Sequence, residues 1–309
     1  MTAPGERLVY YSLAAVGSAA CERQWVQSIR SLRRYNGDIP VFLFVYGSLA
    51  AGTLAEAERH GVRVINGGDY ATCFADLSWA AAQALVRNPT LHKVGSLRLC
   101  PTEAAGQVLF LDCDTFFFDD VDRLFERYQG HHFYAREEPG SSRSHYGYDR
   151  TYLDEAVLQG MERAEGLQPI PPYNSGVFML NGGAWDHLRA LAGDFLSYAW
   201  RLLLGQEYAS PLGAAPEPAV SSLIRRHADE KDRRSRLPFP SSNAWILDEV
   251  ALWLTLGRIP GLTHEVLDRA DVAQNGEAVE IARAGPDRPI LVHYYSGWED
   301  RFFSHVAPL

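Results

Sequence analysis

The chain is poor in cysteine and short of positive charge. Its 309 residues hold four cysteines, Cys21, Cys73, Cys100 and Cys113, set far apart with no CxxC pair. That spacing excludes a disulfide scaffold, a zinc–thiolate site and thioredoxin-like chemistry, and it points to reduced thiols in a cytoplasmic protein. The 29 Lys and Arg are outnumbered by 38 Asp and Glu, leaving a formal charge of −9 at pH 7. An acidic chain has no electrostatic reason to approach nucleic acid or an anionic membrane surface. No apolar run reaches the roughly 18 residues that span a bilayer. Internal repeats of roughly 20–50 residues and low-complexity tracts are also absent. The stretch Leu8–Cys21 (LVYYSLAAVGSAAC) superficially imitates a lipoprotein leader. Glu6 and Arg7 cancel, however, so it has no positive n-region, and Tyr10 and Tyr11 interrupt the apolar run. A first strand and loop is the expectation.

What remains is 47% hydrophobic and 12% aromatic, the composition of a globular chain long enough to bury a substantial core. Short apolar runs alternate with helical spacing. Val9–Ser12 reads as a strand and Glu22–Arg34 as a helix with Trp25, Val26, Ile29 and Leu32 on its apolar face. Val41–Tyr46 (VFLFVY), bounded by Pro40 and Gly47, reads as a strand buried on both faces. A helix over Thr53–His60, a strand over Val62–Ile65, a helix over Phe74–Val86 and a strand over Gln107–Leu111 follow. This is the signature of a Rossmann-like α/β fold with a mostly parallel central sheet flanked by helices. The second half predicts a strand at Gly176–Leu180, helices at Ala184–Leu204 and Leu247–Leu256, and a strand at Ile290–Tyr294. Between those helices the run RRHADEKDRRSR reads as a solvated face within an excursion from one domain.

The sharpest local feature is Val108-Leu-Phe-Leu-Asp112-Cys113-Asp114-Thr115. An apolar strand ends in two carboxylates at i and i+2, which project to the same side. The carboxyl ends of strands in an open α/β sheet are where ligands bind. Two hard oxygen ligands there suit Mg²⁺ or Mn²⁺. Asp119, Asp120 and Asp122 instead read as the acidic opening of a helix over Val121–Tyr128. Two chemistries share the Asp-x-Asp pattern. In haloacid-dehalogenase phosphatases the first Asp, here Asp112, is the nucleophile; in glycosyltransferases of the GT-A fold the pair is the DxD motif.

The surroundings separate the two. The phosphatase motif usually sits on the first strand, whereas at least three predicted strands (Val9–Ser12, Val41–Tyr46, Val62–Ile65) precede this one. Asp248-Glu249 belongs to a helix rather than following a strand. Further along, Pro172-Tyr-Asn174-Ser175-Gly176-Val-Phe-Met-Leu-Asn181 and Leu291-Val-His293-Tyr-Tyr-Ser296-Gly297 resemble downstream segments of GT-A enzymes. The ordered set of opening strand, DCD, NSGVFMLN, DE pair and HYYSG, from about Val9 to Gly297, is similar to the glycosyltransferase family 8 and glycogenin-like group.

That resemblance implies a single GT-A-like catalytic domain over residues 1–309, with a nucleotide-binding half at about 7–130 and an acceptor-side half at about 131–309. It implies a nucleotide diphosphate sugar as donor, a UDP-sugar foremost, an unidentified hydroxyl acceptor, and Mn²⁺ or Mg²⁺ as cofactor. Asp112, Asp114 and His293 would bind the metal. Tyr10, Tyr11, Ser12 and Leu13 would line the base and ribose, with Lys93, Asp112, Cys113, Asp114, Ser175, Ser296 and Gly297 completing the nucleotide-sugar site. Arg98 could also approach the phosphates. Asn174, Asp248 and Glu249 would act at the sugar. Retention of anomeric configuration is the family's direction, although Glu249, where many relatives carry Gln, leaves room for a general base. His131–Arg150, dense in aromatic and charged residues, is the expected acceptor segment, with Glu137 and Glu138 as candidates; its composition also suits a surface loop. A haloacid-dehalogenase-like phosphatase and a nucleotide-sugar-binding protein without turnover stay as alternatives.

Two departures from the family stand out. Gly297 comes one residue later than in the usual His-x-x-Gly-x-x-Lys ending, with Arg301 the nearest cation after it, and the interval from Asn181 to Asp248 is long. A nucleotidyltransferase is disfavoured because Val9–Cys21 lacks a Gly-rich basic loop for phosphate.

Overall fold

The computed structural model describes residues 6–15, 19–66, 93, 96, 105–137, 162–163, 165–191, 247–274, 277, 288–294 and 303. Among them, ten strands and five helices follow in order. β1 (Glu6–Ala15), α1 (Ala19–Tyr35), β2 (Val41–Gly47), α2 (Ala51–Arg59), β3 (Arg63–Asn66) and β4 (Ala105–Leu111) form the first half. Then come β5 (Thr115–Phe117), α3 (Asp122–Arg127), β6 (Phe133–Glu137), β7 (Tyr173–Asn181) and α4 (Ala184–Ala190). α5 (Leu247–Leu256), β8 (His264–Val266), β9 (Val272–Gln274) and β10 (Leu291–His293) close the chain. Among the described residues no helix is long and apolar enough to cross a membrane.

The expected α/β layering is present. A seven-stranded sheet runs in the order β3-β2-β1-β4-β7-β6-β8. β3, β2, β1 and β4 pair in parallel, as do β6 and β8, while β7 runs against both of its neighbours. The continuously apolar strands lie at its centre because both of their faces are covered: Val9, Tyr10, Tyr11 and Leu13 of β1 are all fully buried. α1 closes one face through Trp25, Ile29 and Leu32, an i, i+4, i+7 stripe packed into the main core. Its C-terminus is held by Arg33, whose guanidinium donates to the carbonyls of Asn36 and Ile39 at 3.1 and 2.9 Å. Across the other face, Phe110 of β4 stacks on Phe178 of β7 at 4.5 Å, and Phe178 on Phe133 of β6 at 5.6 Å.

A second, three-stranded sheet in the order β5-β10-β9 stands beside the first. Its two faces differ. Phe117, Leu291 and Val272 join the main core, whereas Phe116, Val292, Ala273 and Tyr294 pack with Phe303 in a smaller one. This alternation decides where β10 delivers its last residue, His293.

The strands β5, β8 and β9 escape sequence reading because each is three residues long and shows no periodicity. The start of His131–Arg150, whose composition also suited a surface loop, is the strand β6: Phe133, Tyr134 and Ala135 are buried and pair with β7. Residues 138–150, with Glu138, lie outside the described residues. So do the expected helix at Phe74–Val86, the part of Ala184–Leu204 beyond Leu191, the charge run, Cys73 and Cys100. Cys21 and Cys113 are free thiols, Cys113 buried.

Candidate functional site

β4 ends at Leu111, and β1, beside it in parallel register (Tyr10↔Phe110, Tyr11↔Leu111), runs on through Ser12 and Leu13. The turn Asp112–Asp114 therefore lies against the carboxyl end of β1, where the buried Cys113 thiol is 3.5 Å from the Ser12 carbonyl. Burial pushes that thiol up and keeps it neutral. Main-chain bonds fix the turn at both ends. Asp112 N–H donates to the Gly176 carbonyl at 2.7 Å, and Tyr294 N–H donates to the Asp114 carbonyl at 3.0 Å. A chain of buried hydroxyls supports it from behind, with Tyr11 Oη on Ser28 Oγ at 2.8 Å and Ser28 Oγ on Thr115 Oγ1 at 2.7 Å. Thr115 Oγ1 in turn donates to the Asp112 carbonyl at 3.1 Å. Ser28 was not singled out from the sequence; a serine on the buried stripe of an amphipathic helix was the available signal.

His293 reaches this turn from β10. Its Nε2 lies 3.3 Å from Asp114 Oδ1 and 4.0 Å from Asp112 Oδ2. The imidazole passes directly over β7, and only a glycine leaves it room. A Cβ built on Gly176 would stand 2.1 Å from His293 Cε1. Asp112, Asp114 and His293 each offer one ligand atom, all within 4.8 Å of one another, and the residues are buried or half-buried. Two carboxylate oxygens and an imidazole nitrogen, from a turn braced by hydroxyls and main chain, fit a small divalent cation.

A second polar cluster adjoins the first through Lys93. Its ammonium is 2.8 Å from Asp112 Oδ2 and 2.9 Å from Asp248 Oδ2, and it donates to Ser175 Oγ at 2.9 Å. Ser175 Oγ donates to the same Asp248 oxygen at 2.6 Å. Asp248 and Glu249 open α5, and Asn174 Nδ2 donates to Glu249 Oε1 at 3.2 Å. The Asn174 carbonyl oxygen of the side chain accepts from Gly176 N–H at 2.8 Å. The acidic pair thus opens a helix and also faces other side chains: both residues are buried, at 3% and 6% exposure.

Electrostatics tie the clusters together. Burial works against the Lys93 charge, but Asp112 and Asp248 outweigh it and raise the ammonium well above the ordinary lysine range. Burial pushes the Asp112 carboxyl up, assisted by the charge of Asp114 and opposed by Lys93. At Asp114 burial pushes the same way, yet the charge and hydrogen bond of His293 outweigh it and hold the carboxyl below its usual range. Three carboxylates gather around one ammonium and one imidazole, an excess of negative charge that a cation would relieve.

The structure brings together Lys93, Asp112, Asp114, Asn174, Ser175, Asp248, Glu249 and His293. Tyr10 and Tyr11 differ from the aromatic binding face expected of them: their rings are core residues. Tyr10 packs on Phe110 at 5.8 Å and Tyr11 edge-on to Trp25 at 6.5 Å, because a strand covered on both faces turns neither of two consecutive side chains to solvent. Burial raises the Tyr11 hydroxyl and keeps it protonated. Ser12 and Leu13 are buried too, at the end of β1 nearest the turn. Glu137 ends β6, opposite Tyr173. Ser296, Gly297, Arg98 and Arg301 lie outside the described residues.

No protein-family model matches the chain, and no curated protein matches it. Among solved structures it is similar to mouse xyloside xylosyltransferase 1 in its apo form: 15% identical, covering 94% of this chain and 97% of that one, TM-score 0.46. It is similar to the galactosyltransferase LgtC in complex with donor and acceptor sugar analogues, at 13% identity, 98% and 97% coverage and TM-score 0.46. It is also similar to the glycosyltransferase GlyE of Streptococcus pneumoniae, at 15% identity, 94% and 56% coverage and TM-score 0.44.

Proposed function

We propose that the chain is a metal-dependent glycosyltransferase that moves a sugar from a nucleotide diphosphate, a UDP-sugar foremost, to an acceptor hydroxyl. The observation that carries this reading is the meeting of Asp112, Asp114 and His293 within 4.8 Å at the carboxyl end of the parallel strands. Breaking a sugar–phosphate bond builds negative charge on the diphosphate and positive charge on the anomeric carbon. A bound Mn²⁺ or Mg²⁺ supplies electrostatic stabilisation of the departing diphosphate without a proton donor.

The chain's own residues divide the remaining tasks. Asp112, Asp114 and His293 hold the cation, and the hydroxyl chain behind the turn keeps both carboxylates aimed. The main chain of Ser12 and Leu13 borders the nucleotide. Lys93, fixed between Asp112 and Asp248, links the diphosphate end of the site to the sugar end and offsets negative charge at both. Asp248 and Ser175 hold sugar hydroxyls. Glu249, oriented by Asn174, sets a carboxylate against the face of the sugar where positive charge develops, and this goes with retention of configuration. Positioning of the acceptor hydroxyl within roughly 3–3.5 Å of the anomeric carbon supplies the rest.

The test is a thermal-shift and calorimetric screen of nucleoside diphosphates with and without Mn²⁺, on the wild type and on His293→Ala. The expected result is nucleotide binding that needs the metal, with both affinities reduced together in His293→Ala. Unchanged affinities in the variant would return His293 to a structural role. A beryllofluoride adduct at Asp112, with no nucleotide binding, would mark a phosphatase instead. Retention is checked by the anomer first seen in proton NMR of the product; the inverted anomer would reassign Glu249 as a general base.

A further inference from the structure

β9 contributes a residue that faces the same layer as the metal-site histidine. Gln274 is in register with His293 across the parallel β9–β10 pair, and His293 with Thr115 across β10–β5. Residues paired across neighbouring strands share a face and stand roughly 4.8 Å apart. That face is the one turned toward the main core, because Val272, Leu291 and Phe117, two residues away on each strand, belong to it. Thr115, His293 and Gln274 thus form a polar row at the end of the small sheet. Thr115 is engaged with Ser28 and the Asp112 carbonyl, and His293 approaches Asp114. Gln274 differs: it is 1% exposed, and neither Nε2 nor Oε1 meets a hydrogen-bond partner among the described residues.

Its main chain, by contrast, is firmly held. Gln274 N–H donates to Glu277 Oε2 at 3.1 Å, and Glu277 is gripped by Arg136 of β6 at 3.0 and 3.1 Å. A buried amide left without partners costs about 1–3 kcal/mol. A ligand group that relieves both atoms at once must accept from Nε2 and donate to Oε1. A phosphate oxygen only accepts and a metal ion takes only the carbonyl, whereas a hydroxyl does both.

We propose that Gln274 is a further binding residue of the candidate site, reading a sugar hydroxyl on the side of His293 away from β5. This rests on the glycosyltransferase reading above. The hydroxyl belongs to the donor sugar or to a sugar acceptor, and two arms of one experiment separate them. Gln274→Leu removes the amide at similar volume, and Gln274→Asn withdraws it by one methylene. Each full-length variant is melted without ligand, then titrated with UDP and with a UDP-hexose in Mn²⁺, and finally with methyl glycosides in the presence of UDP and Mn²⁺.

The expected result is a ligand-free melting temperature for Gln274→Leu at or above wild type, and unchanged UDP affinity. Affinity for the UDP-hexose or for the methyl glycoside falls roughly tenfold, as loss of one buried hydroxyl contact predicts; the arm that falls identifies the source. Gln274→Asn shows the same selective loss. A clear drop in melting temperature with both sugar affinities intact overturns the proposal and makes the amide a core strut. An equal loss for UDP and UDP-hexose also overturns it, in favour of a role in orienting His293. If wild type binds no UDP-hexose, the transferase reading itself fails; if it binds and both variants match it, only the Gln274 assignment falls.

Discussion

Asp112 and Asp114 on one side of β5, and Asp119, Asp120 and Asp122 on the other, are chemically alike and close in sequence, yet they meet opposite surroundings. The later group is satisfied locally. Asp119 pairs with Arg123, Asp120 takes the Asn36 amide and the Asp122 N–H, and Asp122 meets Arg7 at 2.7 Å. Side-chain exposures of 37% for Asp119 and 43% for Asp122 leave water to share the load. The earlier group is half as exposed, at 20% and 22%, and its partners arrive from distant parts of the chain. Each carboxylate of the helix opening has its own cation or amide donor. Those of the turn share one ammonium and one imidazole between them and Asp248. The comparison teaches that carboxylates are left in need of a cation when the fold supplies fewer positive partners than it buries negative charges.

Removing the cation that bridges the two site clusters should have the largest effect. Lys93→Met leaves the buried Asp248 and the half-buried Asp112 without their ammonium, and breaking a buried pair costs about 3–5 kcal/mol. Urea unfolding should show that loss in metal-free buffer, with part of it restored by Mn²⁺; no restoration would mean that the turn does not take a cation. Next comes Asp114→Ala, expected to weaken Mn²⁺-dependent nucleotide binding by at least roughly 100-fold, the upper range seen when a metal site loses even a supporting residue. Its melting temperature should stay near wild type, and calorimetry together with a melt reads both.

Asp120→Ala tests the other side of the comparison. It should lower stability by about 1 kcal/mol through loss of the helix-opening bonds, while Mn²⁺ affinity stays unchanged. A metal effect as large as that of Asp114→Ala would erase the distinction drawn here. The smallest effect is a reference point. Glu56 on α2 is held below the usual carboxylate range chiefly by its hydrogen bond from Arg30. Its contribution is therefore present at neutral pH and fades as the pH falls through that lowered range. Glu56→Gln should cost less than about 1 kcal/mol at pH 7 and nothing once the wild-type carboxyl is protonated, in chemical melts at both pH values.

Much of the first half was readable in advance. The strands β1, β2 and β4 are continuously apolar, and α1 shows Trp25, Ile29 and Leu32 at helical spacing. Asp112 and Asp114 announced themselves by following such a strand. Asn174, Asp248 and His293 were reached through a resemblance of short segments, and they do converge. The small sheet was the least legible part. All three of its strands are three-residue pieces, two of them without any readable period, and their role depends on which face β10 presents to β7. The orphan amide of Gln274 was invisible for the same reason, whereas Ser28 was visible as a buried serine on α1 but its partner Thr115, 87 residues away, was not.

Composition and periodicity were enough to settle the layered α/β class, since burying a continuous apolar strand requires cover on both faces. They also placed two carboxylates where such a strand ends. The reversal of β7, the gap at Gly176 that admits His293, and the bridge from Lys93 to Asp248 belong to the folded molecule alone. A hydrophobic period reports what a residue's near neighbours bury, whereas a site is made by which remote side chains come to share one small volume.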